Sequence, residues 1–197
     1  PALKGVEIRI ADPKPDTGEG EIQARGPNVM QGYYKDPAKT AEVFTEDGWF
    51  RTGDLGIFDA KRRLFIRGRL KTMILGASGE NIYPEEIEAL INKSAFVAES
   101  LVMSEGSGLT ALVQLKQEVL DDLKARAKDS LEDFERFSEE LLEKVRKEVN
   151  SGLAAFSKVS KVVIHHEPFE KTPTQKIKRF LYQLKGAKSE TGTVDGK

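Results

Sequence analysis

The sequence contains no cysteine, which excludes a disulfide framework, a Cys-type zinc site and a cysteine nucleophile. That absence suits a reducing compartment, and a cytoplasmic location is the expectation. Histidine is almost as scarce. His165 and His166 stand side by side at a strand end, with no third ligand at metal spacing, and read as structural. No apolar run is long enough to cross a bilayer, and the opening Pro1-Ala2-Leu3-Lys4-Gly5 does not read as a signal peptide. Charge of one sign is lacking too: 31 Lys+Arg against 32 Asp+Glu leave a net −1. No global cationic field is available to attract nucleic acid. A phosphate-binding P-loop, a Gly-x-Ser-x-Gly elbow and a His-Glu-x-x-His pair are all missing.

What is present is enough for a core. Apolar residues make up 39% of the 197 and charged residues 32%, the composition of one ordinary domain or two small ones with a well-solvated surface. The first third reads as strands and turns. Val6–Ile10 and Glu21–Arg25 alternate with period two around a loop rich in Pro, Asp and Gly. Asp36 caps a short helix from Pro37 to Phe44, and Leu55–Asp59 with Arg63–Arg67 predict a hairpin.

The composition then shifts. Lys71–Leu75 predicts a strand, Gly76–Asn81 a loop, and Pro84 opens a helix with Glu85 and Glu86 in its first turn and Ile87, Leu90 and Ile91 along one stripe. Val97–Met103 and Leu109–Leu115 predict a second hairpin. From about Val119 to Ala155 the pattern is helical, with Phe134, Phe137, Leu141, Val145 and Val149 at three- and four-residue steps. A strand at Lys161–Ile164 and an amphipathic helix at Gln175–Leu184 complete the folded part. Residues 186–197 have the composition of a disordered tail. The fold class is therefore α+β, in two pieces: a β-rich block over 1–68, short for a closed core of its own, and an α+β unit over 69–185.

Three stretches could carry chemistry. In Trp49-Phe50-Arg51-Thr52-Gly53-Asp54 the carboxylate follows a glycine at a strand entry and could accept two hydroxyl hydrogen bonds, as a ribose diol would offer. Arg69 in Arg67-Gly68-Arg69-Leu70-Lys71 could reach ribose or phosphate with its planar fork. The loop Ser78-Gly79-Glu80-Asn81 behind it allows close backbone approach. A lysine in Lys171-Thr172-Pro173-Thr174-Gln175-Lys176-Ile177-Lys178-Arg179 could act as a point charge on a phosphate or oxyanion. Taken singly, an ordinary turn aspartate, a basic strand end and a solvated charge run are the stronger readings.

Order and identity together change this. Gly20-Glu21-Ile22-Gln23-Ala24-Arg25-Gly26-Pro27, continuing to Gly32-Tyr33-Tyr34, Asp36-Pro37 and Thr40, resembles a core motif of the adenylate-forming superfamily of acyl-CoA synthetases, peptide-synthetase adenylation domains and luciferases. Trp49–Asp54 resembles the next motif, Gly68–Lys71 with Pro84-Glu85-Glu86-Ile87-Glu88 the one after, and Lys171–Arg179 the last. The resemblance covers most of residues 18 to 180. It implies the β-rich end of a large adenylation domain followed by a small α+β C-terminal lid domain.

The resemblance also implies roles. Asp54 matches the aspartate that holds the ATP ribose hydroxyls, and Arg69 an arginine on the same ribose. Lys71 falls at the hinge about which the lid swings between two half-reactions. Lys176 matches the catalytic lysine that bridges the acyl carboxylate and α-phosphate, and Ser78 and Gly79 fall in the loop lining the channel for the CoA pantetheine. Most relatives have glycine where this chain has Gln175. The Thr-Pro-Thr-x-Lys-x-Lys-Arg form, the Ser78–Ile82 loop and the helical insertion resemble long-chain fatty acid–CoA ligases. The implied activity consumes ATP, fatty acid and CoA with Mg2+, no metal ligand falling within this stretch. The family's phosphate loop, adenine motif and acyl pocket should lie in an N-terminal domain before Pro1, so the chain alone should be inactive; a parent enzyme could associate peripherally with membranes. A fatty acyl-AMP ligase serving a carrier protein, another adenylating enzyme, and a non-catalytic binding module are the alternatives.

Overall fold

The computed structural model describes residues 3–106, 108–128 and 130–182. The chain forms two compact units that divide between Met73 and Ile74, five residues beyond the junction expected from composition. The reason is local: the last strand of the first unit runs through Arg69 and is tied by a turn to Met73, whose N–H donates to the Arg69 carbonyl at 3.0 Å.

The first unit is a four-stranded antiparallel meander: β1 (Glu7–Ala11), β2 (Gly20–Arg25), β3 (Phe50–Phe58) and β4 (Leu64–Arg69), with α1 (Pro37–Val43) between β2 and β3. Asp36 caps α1 by accepting from the Lys39 N–H at 2.9 Å, ahead of Pro37. Its buried apolar side chains are Ile22, Trp49 and Leu55. The guanidinium groups of Arg9 and Arg25 lie 4.4 and 4.5 Å from the Trp49 ring centroid. Tyr34, Phe65, Ile66 and Leu70 are exposed. Each fully buried large apolar side chain contributes only about 1.5–3 kcal/mol, so this core is thin.

The second unit has a thicker core. A two-stranded ribbon, β5 (Ile74–Leu75) with β6 (Asn81–Ile82), leads into α2 (Pro84–Ile91). β7 (Val97–Glu105) and β8 (Gly108–Leu115) form an antiparallel hairpin, and β9 (Val159–Ile164) joins β8 in parallel, giving the sheet order β7-β8-β9. A parallel neighbour requires a crossover, and α3 (Gln117–Ala127) with α4 (Leu131–Ser151) supplies it.

Strand alternation sorts the sheet residues onto two faces. Val102, Ala111 and Val113 pack with Ile87, Ile91, Leu123, Val145 and Val149 of the helices. Leu101, Met103 and Leu112 face the other way, against Phe169, Ile177, Leu181 and Tyr182 of the closing segment.

Three local expectations are corrected. The helical pattern from Val119 to Ala155 is two helices, because Lys128 turns left-handed (φ +48°) and Ser130 caps α4 by accepting from the Asp133 N–H at 3.2 Å. The strand expected over Lys71–Leu75 is confined to Ile74–Leu75, since 70–72 form a turn. The helix expected over Gln175–Leu184 is absent at its start: Gln175 has φ +61°, and helical geometry begins only at Phe180. The end of that helix and the tail from 186 lie outside the described residues. No helix among the described residues is long and apolar enough to cross a membrane.

Candidate functional site

Asp54 and Arg69 come from separate motifs and meet across one strand pair. In β2–β3 the register shifts, so that Thr52, Gly53 and Asp54 stand against the single Ile22. Such a bulge re-aims the side chains of the strand that carries it. Gly53 makes it feasible with φ +71°, a conformation L side chains adopt at a cost. The bulge is pinned on three sides. The Thr52 hydroxyl donates to the Ile22 carbonyl at 2.7 Å and accepts from the Asp54 N–H at 3.0 Å. The Gly53 N–H donates to Glu21 at 3.3 Å, and the Leu70 N–H donates to the Gly53 carbonyl at 2.8 Å.

Asp54 then faces Arg69 in register, and Arg69 Nε stands 2.9 Å from Asp54 Oδ1. The two side chains are 31% and 57% exposed. An ion pair this open contributes at most about 1 kcal/mol. Stability therefore gives little reason for the pair, and both groups remain reachable from solvent. Lys71 follows two residues later, exposed, in the turn closed by the Met73 N–H to the Arg69 carbonyl.

In the second unit, Ser78 and Gly79 sit in a tight loop between β5 and β6. The Gly76 N–H donates to the Glu80 carbonyl at 2.8 Å and the Gly79 N–H to the Gly76 carbonyl at 3.0 Å, with Gly79 at φ +90°. The Ser78 N–H donates to the Glu80 carboxylate at 3.2 Å. Ser78 lines a cleft of about 520 Å3 together with Ser104, Gly108, Phe156, Lys158 and Ser160.

Lys176 stands on a separate hairpin of the same unit. Lys171 bridges Ile177, and the Lys178 N–H donates to the Glu170 carbonyl at 2.8 Å, so the two arms pair in antiparallel fashion. Thr172 closes the tip, its N–H donating to the Lys176 carbonyl at 2.8 Å and its hydroxyl accepting from the Lys176 N–H at 3.2 Å. The Lys176 side chain is exposed and forms no ion pair among the described residues. Its neighbour Gln175 holds the left-handed conformation (φ +61°) that glycine adopts without steric cost. A non-glycine residue there costs about 1–2 kcal/mol, and the side chain is exposed. Gln175→Gly is therefore expected to stabilise the chain by about 0.5–1 kcal/mol despite the freedom glycine gains on unfolding. Urea denaturation checks this, and a loss of stability would contradict the strain.

The residues sequence reasoning missed are those behind the hairpin. Arg179 pairs with the buried Glu88 and lies 3.7 Å from Glu85, while Lys171 Nζ meets Glu99 at 2.9 Å. Burial pushes the Glu88 carboxyl above its ordinary range, opposed by Arg179 and by the Val102 N–H. Glu88 gave a signal that could have been used: a carboxylate on the apolar stripe of α2, three residues from Ile91, requires a buried partner. His165 stacks on Phe169 at 4.7 Å and meets Tyr182 edge-on at 5.4 Å, an aromatic packing role. Among the described residues no group of three or more His, Asp or Glu is arranged to hold a metal ion.

Residues 71–183 match the AMP-binding enzyme C-terminal domain family. The chain is 37% identical over 190 residues to long-chain-fatty-acid–CoA ligase 1 of Homo sapiens, covering 90% of this chain and 27% of that protein. It thus spans about a quarter of the length of the curated relatives it matches. Among solved structures it is similar to an ATP-bound RpMatB-BxBclM chimera, with TM-score 0.72 and 32% identity over 96% of this chain and 36% of the other. It is similar also to the adenylation domain of a carboxylate reductase from Mycobacterium chelonae, with TM-score 0.76 and 25% identity over 94% of this chain and 31% of the other.

Proposed function

The chain belongs to the AMP-binding enzyme C-terminal domain family, and from that premise we propose that it is the C-terminal portion of an AMP-forming long-chain fatty acid–CoA ligase. In this reading residues 1–68 end the large adenylation domain and 69–185 are the lid. The observation that carries it is the cross-strand pairing of Asp54 with Arg69 on a solvent-open bulge. Two motif residues fifteen positions apart are thereby placed to grip one ligand: the carboxylate accepts from both ribose hydroxyls, and the guanidinium donates beside it.

The chemistry follows in two steps. The fatty acid carboxylate attacks the α-phosphate of ATP, an acyl–phosphate bond forms, and pyrophosphate leaves. Two anions meet in that step, and the Lys176 ammonium offsets their repulsion and steadies the charge that develops. The CoA thiol then attacks the acyl-adenylate carbonyl, a thioester forms, and AMP leaves. Lys176 has no task there; Ser78 and Gly79 flank the pantetheine, and rotation about Lys71 exchanges one face for the other. The Thr172-Pro173-Thr174-Gln175-Lys176 sequence and the long-chain relatives support a fatty acyl substrate. A cytoplasmic location, with peripheral membrane association to reach such an acid, is part of the same proposal.

The test uses the protein that carries this chain, supplied with ATP, CoA and a saturated fatty acid of sixteen carbons. The expected result is acid-dependent release of pyrophosphate and AMP with formation of the thioester. Acyl-adenylate that accumulates regardless of CoA but is passed to a carrier protein would replace the ligase reading with that of a fatty acyl-AMP ligase. The 197-residue chain alone is expected to release no pyrophosphate.

A further inference from the structure

We infer that Arg179, acting through Glu88, is a positioning residue for the Lys176 hairpin, an inference that rests on the adenylating role given to Lys176 above. β7 is an edge strand of its sheet, and an edge residue presents an N–H and a carbonyl with no strand to pair them. At Val102 both are occupied by side chains. Glu88 Oε1 accepts from the Val102 N–H at 2.7 Å, and Arg179 Nη1 donates to the Val102 carbonyl at 3.3 Å. The carboxylate and the guanidinium also bond directly to each other. The pair therefore plugs one residue of the sheet edge much as a neighbouring strand would. It joins α2 and β7 to the closing segment, which lies more than seventy residues further along the chain.

The consequence for Lys176 is geometric. Arg179 lies three residues downstream, and the intervening stem is already short of freedom. Lys178 is bonded to Glu170 through its backbone at 2.8 Å and its ammonium at 3.3 Å, and Lys171 is tied to Glu99 at 2.9 Å. Among the described residues the tip is held by bonds to Thr172. Arg179 and Lys171 thus hold the two arms to different strand positions of one sheet, and Lys176 projects from between them. Arginine is needed rather than lysine, because its planar fork must serve Glu88 and the Val102 carbonyl together. A misplacement of about 1 Å in a group that aligns reactants can cost about 10²-fold.

The experiment measures both half-reactions in the protein carrying this chain, for Arg179→Met, Arg179→Lys and the double variant Glu88→Leu/Arg179→Met. The double variant removes both members of the Glu88–Arg179 pair, so Glu88 is not left as a lone buried charge and lost positioning is separated from lost folding. The expected result is a fall of about 10- to 100-fold in kcat for acyl-adenylate formation, with the KM for ATP within twofold. Consumption of supplied acyl-adenylate by CoA should be unchanged, and Arg179→Lys should recover part of the loss. Amide exchange in the peptide spanning Lys171–Arg179 should quicken by at least tenfold while β8 keeps its protection. Equal loss of both half-reactions, or slowed adenylation with no change in exchange, would overturn the inference. If the unsubstituted protein releases no acid-dependent pyrophosphate, the functional reading falls and this inference with it; normal release together with an unaffected double variant overturns the inference alone.

Discussion

Replacing Lys176 by alanine is expected to slow acyl-adenylate formation by about 10²–10³-fold, the usual cost of removing one group that stabilises developing charge. Folding should be untouched. The Lys176 side chain is exposed, and the hairpin that carries it is closed by backbone groups and by Thr172, none of which alanine disturbs. The thermal midpoint should therefore stay within about a degree or two, since exposed substitutions away from special features change stability by at most about 0.5 kcal/mol. The second half-reaction, started from supplied acyl-adenylate and CoA, should keep its rate within about twofold. Pyrophosphate release and thioester formation, followed separately, give both numbers. Undiminished adenylation in Lys176→Ala would remove the assigned role, and parallel loss of both steps would make Lys176 a general anion site rather than a residue of the first step.

Much of the scaffold behind this is legible in the residues. Period-two alternation locates the strands, and Asp36-Pro37 and Pro84 with Glu85 and Glu86 mark two helix starts that the structure shares. The break between α3 and α4 is not legible by periodicity. The apolar stripe runs on through Phe134 and Phe137, and the interruption is made by one left-handed residue and a serine cap. The closing segment misleads for a related reason. Ile177 and Leu181 are four apart and do pack on one cluster, so the helical spacing is met. It is met by a hairpin arm and the helical residues that begin at Phe180, because Thr172 captures the backbone of Gln175 and Lys176 before a helix can start there.

The candidate site divides in the same way. Motif order identifies Asp54 and Arg69 one by one, yet their pairing depends on a bulge that removes two residues from register between Glu21 and Gln23. No pattern of apolar and polar residues encodes that shift; Gly53 is its one visible trace. Arg179 is hidden more deeply. In the sequence it ends a run of charges, and charge runs are usually solvated. Only the fold shows that this charge is turned inward, against a glutamate that α2 carries on its buried side.

Proline at position 71 should produce the mirror image of the Lys176 result, with adenylation within about threefold of normal and thioester formation reduced by about 10²-fold. The turn at Leu70–Thr72 holds its shape through the Leu70 N–H to the Gly53 carbonyl at 2.8 Å and through the Thr72 and Met73 N–H groups to the Arg69 carbonyl at 3.2 and 3.0 Å. None of these uses the Lys71 N–H, so proline removes no donor on which the turn relies. What proline does remove is backbone freedom: it fixes φ near −65° and disfavours the helical geometry that this turn uses at Leu70, so it strains the turn as well as limiting the pivot. A pivot must change those angles to bring the Ser78–Gly79 loop into use, and a residual misplacement of about 1 Å is enough for a loss of this size. Lys71→Ala is the companion measurement. It removes the exposed ammonium and leaves the backbone free, so it should preserve both half-reactions if the pivot resides in the main chain. Equal loss of the two steps in Lys71→Pro would count against a pivot, and selective loss of thioester formation in Lys71→Ala would transfer the role from the backbone to the charge.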